Sequence, residues 1–174
     1  VVINEYPNSS TVFDAVNGLQ YSYVAMGRPE NAIALIDNFV SRNPTASFAD
    51  QIFFKKGEIN YSLRRYEQAK TSYKEFIANF PRSSLIPDAY FWVGKSAQML
   101  KQNEEAIFNF RRVFESYPNT ETAIASVIEM GNIYNEIKNY PEAIKIYDAA
   151  IEKLPRSPRI PEIMFNKANT YINM

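Results

Sequence analysis

The stretch PRSSLIPDAYFWVGKSAQMLKQNEEAIFNFRRVFESYP, residues 81–118, decides the fold. It opens and closes on proline, and the same 37-residue step places Pro7, Pro44, Pro81, Pro118 and Pro155 in one column. Alanine follows the same step at Ala32, Ala69, Ala106 and Ala143. Glycine does so at Gly57, Gly94 and Gly131, with Gln20 and Ala168 standing at the outer positions of that column. Three columns on one period identify an internal repeat, which sets the architecture before any other reading. Within the stretch, Ser84 offers an N-cap hydroxyl and Pro87 suits a first helical turn, where a missing N–H costs little. Tyr90, Val93, Ala97 and Leu100 then recur at helical spacing. Lys101-Gln102-Asn103 reads as a turn. A second helix begins at Glu104-Glu105, whose carboxylates suit the positive end of a helix dipole. Ala106, Phe110, Val113 and Phe114 form its apolar stripe, and Pro118 ends it.

Working outward, the other units copy this plan, with second helices beginning near Pro29-Glu30, Tyr66-Glu67 and Pro141-Glu142. Two helices joined by so short a turn pack antiparallel. The expectation is that Gly94 and Ala106 let the two backbones approach closely. The bulky column Tyr73, Phe110 and Tyr147 is expected to fill the space between neighbouring repeats. No hairpin of this size covers its own apolar face, so stacking must do it. The fold class is therefore all-α, a solenoid of antiparallel helix pairs. Its units are residues 7–43, 44–80, 81–117 and 118–154, with 1–6 as the end of a preceding repeat and 155–174 as the first half of a further one.

Composition narrows the chemistry. The 174 residues contain no Cys and no His, which removes disulfides, thiolate catalysis, Cys-ligated zinc and the commonest general base and metal ligand. The five glycines are isolated, so no phosphate-cradling loop is present. No cofactor and no catalytic residue is expected. Lys plus Arg equals Asp plus Glu at 19 each, and this balance argues against a polyanion binder. Residues 55–112 are locally basic, with 11 cations against 6 acids. The doublets Lys55-Lys56, Arg64-Arg65 and Arg111-Arg112 there lie near Glu58, Glu67 and Glu115 at helix spacing, as on a solvated helix face. Nucleic-acid binding through these central repeats is the alternative reading. Apolar runs such as Tyr90-Phe91-Trp92-Val93 are too short to span a bilayer.

The sequence Val93-Gly94, Ala106, Phe110, Pro118, repeated as Met130-Gly131, Ala143, Tyr147, Pro155, resembles the tetratricopeptide repeat. The usual repeat of that family has 34 residues; this one is longer by about three, and the additions fall between helices, at residues 81–87 and 155–161. This long form is similar to repeats of the bacterial envelope, those of the Tol-Pal-associated periplasmic protein and of the lipoprotein of the outer-membrane protein assembly machine. The resemblance implies a right-handed superhelix whose first helices line a concave groove. It also implies a non-catalytic protein-interaction scaffold, periplasmic or outer-membrane-associated, with a cytoplasmic location as the alternative. A regulatory or substrate-presenting region of a multidomain enzyme is a further alternative for function.

Transferred column by column, the resemblance places Tyr21, Phe54, Glu58, Tyr61, Phe91, Lys95, Gln98, Ile128, Asn132, Asn135 and Phe165 on that groove, facing a protein or peptide partner. Phe54, Phe91, Ile128 and Phe165 form one column. They are either apolar anchors for a partner or packing beneath the long linkers. Trp92, the sole tryptophan, has the same two readings. Chaperone-binding members of the family hold a terminal carboxylate with several cations; here the matching columns offer Lys95 alone, so no such clamp is expected. Val2 to Pro7 repeat the pattern of Phe76 to Pro81, and Met164, Phe165, Tyr171 and Ile172 give the last helix an apolar face. The expectation is a segment of a longer protein, able to self-associate through its terminal repeats.

Overall fold

The structure, a computed structural model, describes residues 8–174. The expected end of a preceding repeat, residues 1–6, and Pro7 lie outside the described residues. Nine α-helices and no strand are found among the described residues: α1 (Ser10–Ala25), α2 (Pro29–Arg42), α3 (Ala49–Ser62), α4 (Tyr66–Asn79), α5 (Ile86–Met99), α6 (Asn103–Ser116), α7 (Glu121–Glu136), α8 (Tyr140–Lys153) and α9 (Ile160–Asn173). The second helices start at 29, 66, 103 and 140, in step with the sequence period.

The chain divides into two compact units, residues 1–89 and Tyr90–Met174. In the first, α1 packs on α2, α2 on α3, α3 on α4, and α1 also on α3. In the second, α6 packs on α7, α7 on α8, α8 on α9, and α7 also on α9. Within each unit, helices thus meet their chain neighbours, and first helices meet the first helix of the next hairpin, the contact order of stacked helix pairs. Most of the stripe read from the sequence is core: Val93, Ala97, Ala106, Phe110 and Val113 are fully buried, while Tyr90 and Leu100 are half-buried. Phe110, Met130, Ile133, Tyr147 and Ile163 belong to one apolar cluster in the second unit.

The glycine column makes room for aromatic rings. A Cβ built on Gly94 would stand 2.7 Å from the Phe110 ring, and one on Gly57 would stand 2.5 Å from the Tyr73 ring. Gly131 meets the Tyr147 ring in the same way. Each glycine is a notch that seats the aromatic ring of its own hairpin, sixteen residues on. The bulky column fills this notch within the hairpin, and Phe110 and Tyr147 also join the apolar cluster that includes Ile124, Val127 and Ile163, drawn from successive repeats.

The turn within each hairpin is a left-handed helix cap. Gly27, Arg64, Lys101 and Lys138 all have φ between 59° and 70°. Behind them, the amide of the next residue bonds back to a carbonyl five residues earlier: Arg28 to Tyr23 at 2.8 Å, Arg65 to Asn60 at 2.9 Å, Gln102 to Ala97 at 2.9 Å and Asn139 to Tyr134 at 2.7 Å. This pattern satisfies carbonyls that the helix end would leave unpaired. Three of the four positions carry a long cationic side chain where glycine is the favoured residue; a cation suits the negative end of the helix dipole.

The linker between hairpins differs from expectation in one detail. Helix α5 begins at Ile86, two residues after Ser84, the expected cap. The hydroxyl that organises this turn is that of Ser83, which accepts from the Leu85 amide at 3.1 Å and donates to Asp50 Oδ2 at 2.6 Å.

Candidate functional site

The residues assigned to the groove lie on the first helices, α1 and α3 in the first unit and α5, α7 and α9 in the second. In the first unit Tyr21 projects into solvent, 77% exposed. Glu58 is paired with Lys55 one turn back at 2.7 Å. Tyr61 is half-buried, edge-on to Tyr66 with ring centres 5.3 Å apart. Phe54 is buried, edge-on to both Tyr73 and Phe76 at 5.1 Å, so it supports the wall from within.

In the second unit the first-helix face carries a polar brace. Lys95 on α5 reaches Glu129 on α7 at 2.7 Å, and the Gln98 amide donates to the other oxygen of Glu129 at 3.1 Å. One turn further, Lys101 pairs with Glu136 at 2.8 Å. The Asn135 amide of α7 donates to the Thr170 hydroxyl of α9 at 2.9 Å. First helices therefore touch at offsets of 31 to 35 residues, under one period. Glu129, which the sequence reading did not select, is the centre of this brace. An acid placed 34 residues after Lys95 was the available signal, hidden because column transfer looks only at whole periods. Since Glu129 neutralises it, Lys95 is a strut and not an open anion receptor.

Around the brace, Phe91 is half-buried against Trp92 and Phe110, with ring centres at 5.7 and 5.5 Å. Ile128 is likewise half-buried against the apolar cluster. Asn132 is exposed, and Phe165 is 65% exposed. The column Phe54, Phe91, Ile128 and Phe165 thus runs from buried to exposed, and its last member is the most open to solvent.

On the second-helix side of the first unit, a cleft of about 600 Å³ has a polar floor. Asn60 donates to Ser72 there at 3.2 Å, both residues buried. Lys56 bridges Asp37 and Glu75 at 3.1 Å each. Burial pulls its ammonium pKa down, but the bonds to the two carboxylates outweigh that and leave it above the ordinary lysine value.

Over residues 1–156 the sequence matches the family described as "YfiO: Outer membrane lipoprotein". The chain belongs to the YfiO family. No curated protein matches it in sequence. Among solved structures, this YfiO-family chain is similar to BtubC (BKLC) from P. vanneervenii, at 11% identity and a TM-score of 0.72, covering 94% of this chain and 73% of that one. It is also similar to a tetratricopeptide repeat protein from Parabacteroides merdae, at 15% identity and a TM-score of 0.66, covering 92% of this chain but 60% of that one. YrrB, described as a repeat protein with an unusual peptide-binding site, matches at 17% identity and a TM-score of 0.62, covering 98% of this chain and 80% of that one. These likenesses fix the fold as that of the tetratricopeptide repeat.

Among the described residues, no group of three or more acidic side chains is placed to hold a metal ion, and no helix is long and apolar enough to cross a membrane.

Proposed function

We propose that this YfiO-family chain is a non-catalytic scaffold of the bacterial envelope, periplasmic or outer-membrane-associated, that holds an extended segment of another protein against its first-helix face. The observation that carries the reading is the braced face of the second unit. Ion pairs and amide bonds fix the spacing of its first helices, while Asn132 and the Phe165 ring remain open beside them. A rigid face with exposed amides and aromatics favours an extended peptide, whose backbone can be bonded and whose side chains can be seated. Tyr21 offers the same chemistry in the first unit. Affinity would then come from several repeats acting together, and selectivity from the side chains between the struts. Membership of an outer-membrane lipoprotein family supports the envelope location.

Photo-crosslinking tests the reading. A crosslinker placed at Asn132 or Tyr21 should capture a protein partner in cells, and one at Phe108, exposed on second helix α6, should not. Capture from Phe108 alone would overturn the assignment of the face. Fractionation of the full-length protein away from the envelope would overturn the location. The apolar face of α9, with Phe165 65% and Ile172 81% exposed, also supports self-association; sedimentation velocity of wild type against Ile172→Glu tests it, and a monomer at every concentration would remove it.

A further inference from the structure

Each unit carries a groove at the same register, between two successive interhelical linkers. In the first unit it runs between residues 44–50 and 79–83 and encloses about 600 Å³. In the second it runs between residues 118–124 and 153–159 and encloses about 810 Å³. The lining positions correspond at a shift of two periods, Pro44 with Pro118, Asp50 with Ile124, Pro81 with Pro155 and Ser83 with Ser157. The two grooves differ at several pairs, among them Asp50 with Ile124, Asn79 with Lys153 and, at the edge, Leu85 with Arg159. In the first, the Ser83 hydroxyl donates to Asp50 across the groove at 2.6 Å, tying its walls together. In the second, Ile124 stands where the acid was, and the tie is gone.

What remains is an apolar floor with a basic rim. Ile124, Pro118, Leu154 and Pro155 supply the floor, and Lys153, Arg156 and Arg159 the rim, against one acid, Glu121. The residues from 113 onward hold six cations against eight acids, yet three of those six line this one groove. Lys153 is turned toward the Phe114 and Glu115 carbonyls, at 3.4 and 3.3 Å, and Arg159 pairs with Glu162 at 2.9 Å. Arg156 is exposed and makes no ion pair among the described residues. A local excess of positive charge in a segment of negative net charge marks a partner of opposite sign, because complementary potential steers and selects. The floor adds a demand for an apolar side chain.

We infer that the linker groove of the second unit is a recognition site, separate from the first-helix face, for a short acidic protein segment that seats an apolar side chain on Ile124 and Leu154 and sets a carboxylate against Arg156.

The test is selection of phage-displayed random peptides on the protein, followed by anisotropy titration of the enriched sequences. Enrichment of peptides with Asp or Glu beside an apolar residue is expected. Arg156→Glu should weaken their binding about tenfold without changing the melting temperature, because the side chain is exposed and unpaired. Asn132→Ala, on the first-helix face, should leave it unchanged. Three outcomes overturn the inference: enrichment with no acidic bias or no enrichment at all, peptides indifferent to Arg156→Glu, or peptides displaced by Asn132→Ala. Sedimentation with phosphatidylglycerol–phosphatidylcholine vesicles forms a further arm. If Arg156→Glu abolishes vesicle binding while no peptide is selected, the groove reads lipid headgroups and the inference fails.

Discussion

At the scale of single residues, Gly57, Gly94 and Gly131 each seat an aromatic ring. Gly94→Leu drives a side chain into the Phe110 ring, which is buried on every side and has nowhere to go. The variant should lose roughly 1–3 kcal/mol, read as a lower urea midpoint. Gly18 is the internal control: it lies in α1, and a Cβ added there would meet nothing within 4 Å, so Gly18→Ala should gain up to about 1 kcal/mol of helix propensity. The two glycines look alike in sequence except for the column, and the column was legible. Its purpose was not, because a pattern of small residues fits a close helix crossing and a ring notch equally well. The left-handed caps were less legible still. Gly27 is the only member of its column to announce the conformation; Arg64, Lys101 and Lys138 disguise it. Lys138→Gly should therefore stabilise by about 1 kcal/mol or less, measured by thermal unfolding, and a destabilised variant would mean that its charge at the helix end outweighs the backbone strain.

At the scale of elements, helix boundaries followed closely from proline, the alanine column and the acidic first turns, whereas helix-to-helix contacts did not. The 34-residue offset of Lys95 and Glu129 depends on how far one first helix slides along the next, which no single-column comparison reveals. Both side chains are 21% exposed, between a surface pair and a buried one, so a double-mutant cycle of Lys95→Ala with Glu129→Ala should return a coupling of about 1 kcal/mol. A coupling of zero would strip the brace of its structural role. Helix α8 adds a pH dependence. Burial pushes the Tyr147 hydroxyl from 10.0 up to about 12, and burial with help from the nearby Glu58 raises Tyr73 as well. Above about pH 10 the unfolded chain releases these protons while the folded chain keeps them, so stability is intact below that pH and falls as pH climbs toward about 12. Urea midpoints measured across this range should decline, and Tyr147→Phe should flatten the decline.

At the scale of the whole molecule, neutrality is deceptive in one place and informative in another. The central run of 11 cations against 6 acids is what keeps nucleic-acid binding as an alternative reading. Yet Lys55, Lys56, Arg65, Lys70, Lys95, Lys101 and Arg111 all sit within 4.0 Å of a carboxylate, several of them recruited from other repeats. Filter binding of single-stranded DNA should therefore show weak retention and a shallow salt slope; a steep one, reporting many phosphate contacts, would restore the nucleic-acid reading. The architecture itself was legible because the repeat states it several times over. The linker groove was not, since its character turns on departures from the repeat, Ile124 in the place of Asp50 and Lys153 and Arg159 in the places of Asn79 and Leu85. The ring-and-notch joint has an outcome for lineage and for engineering alike. Both halves of the joint travel inside a single hairpin, so copying or deleting one full period moves a finished joint and leaves every other one closed. A cut made half a period out of phase would separate rings from their seats at both edges. Growth by whole units is thus mechanically permitted here, and growth by fractions is penalised, long before any partner has a say.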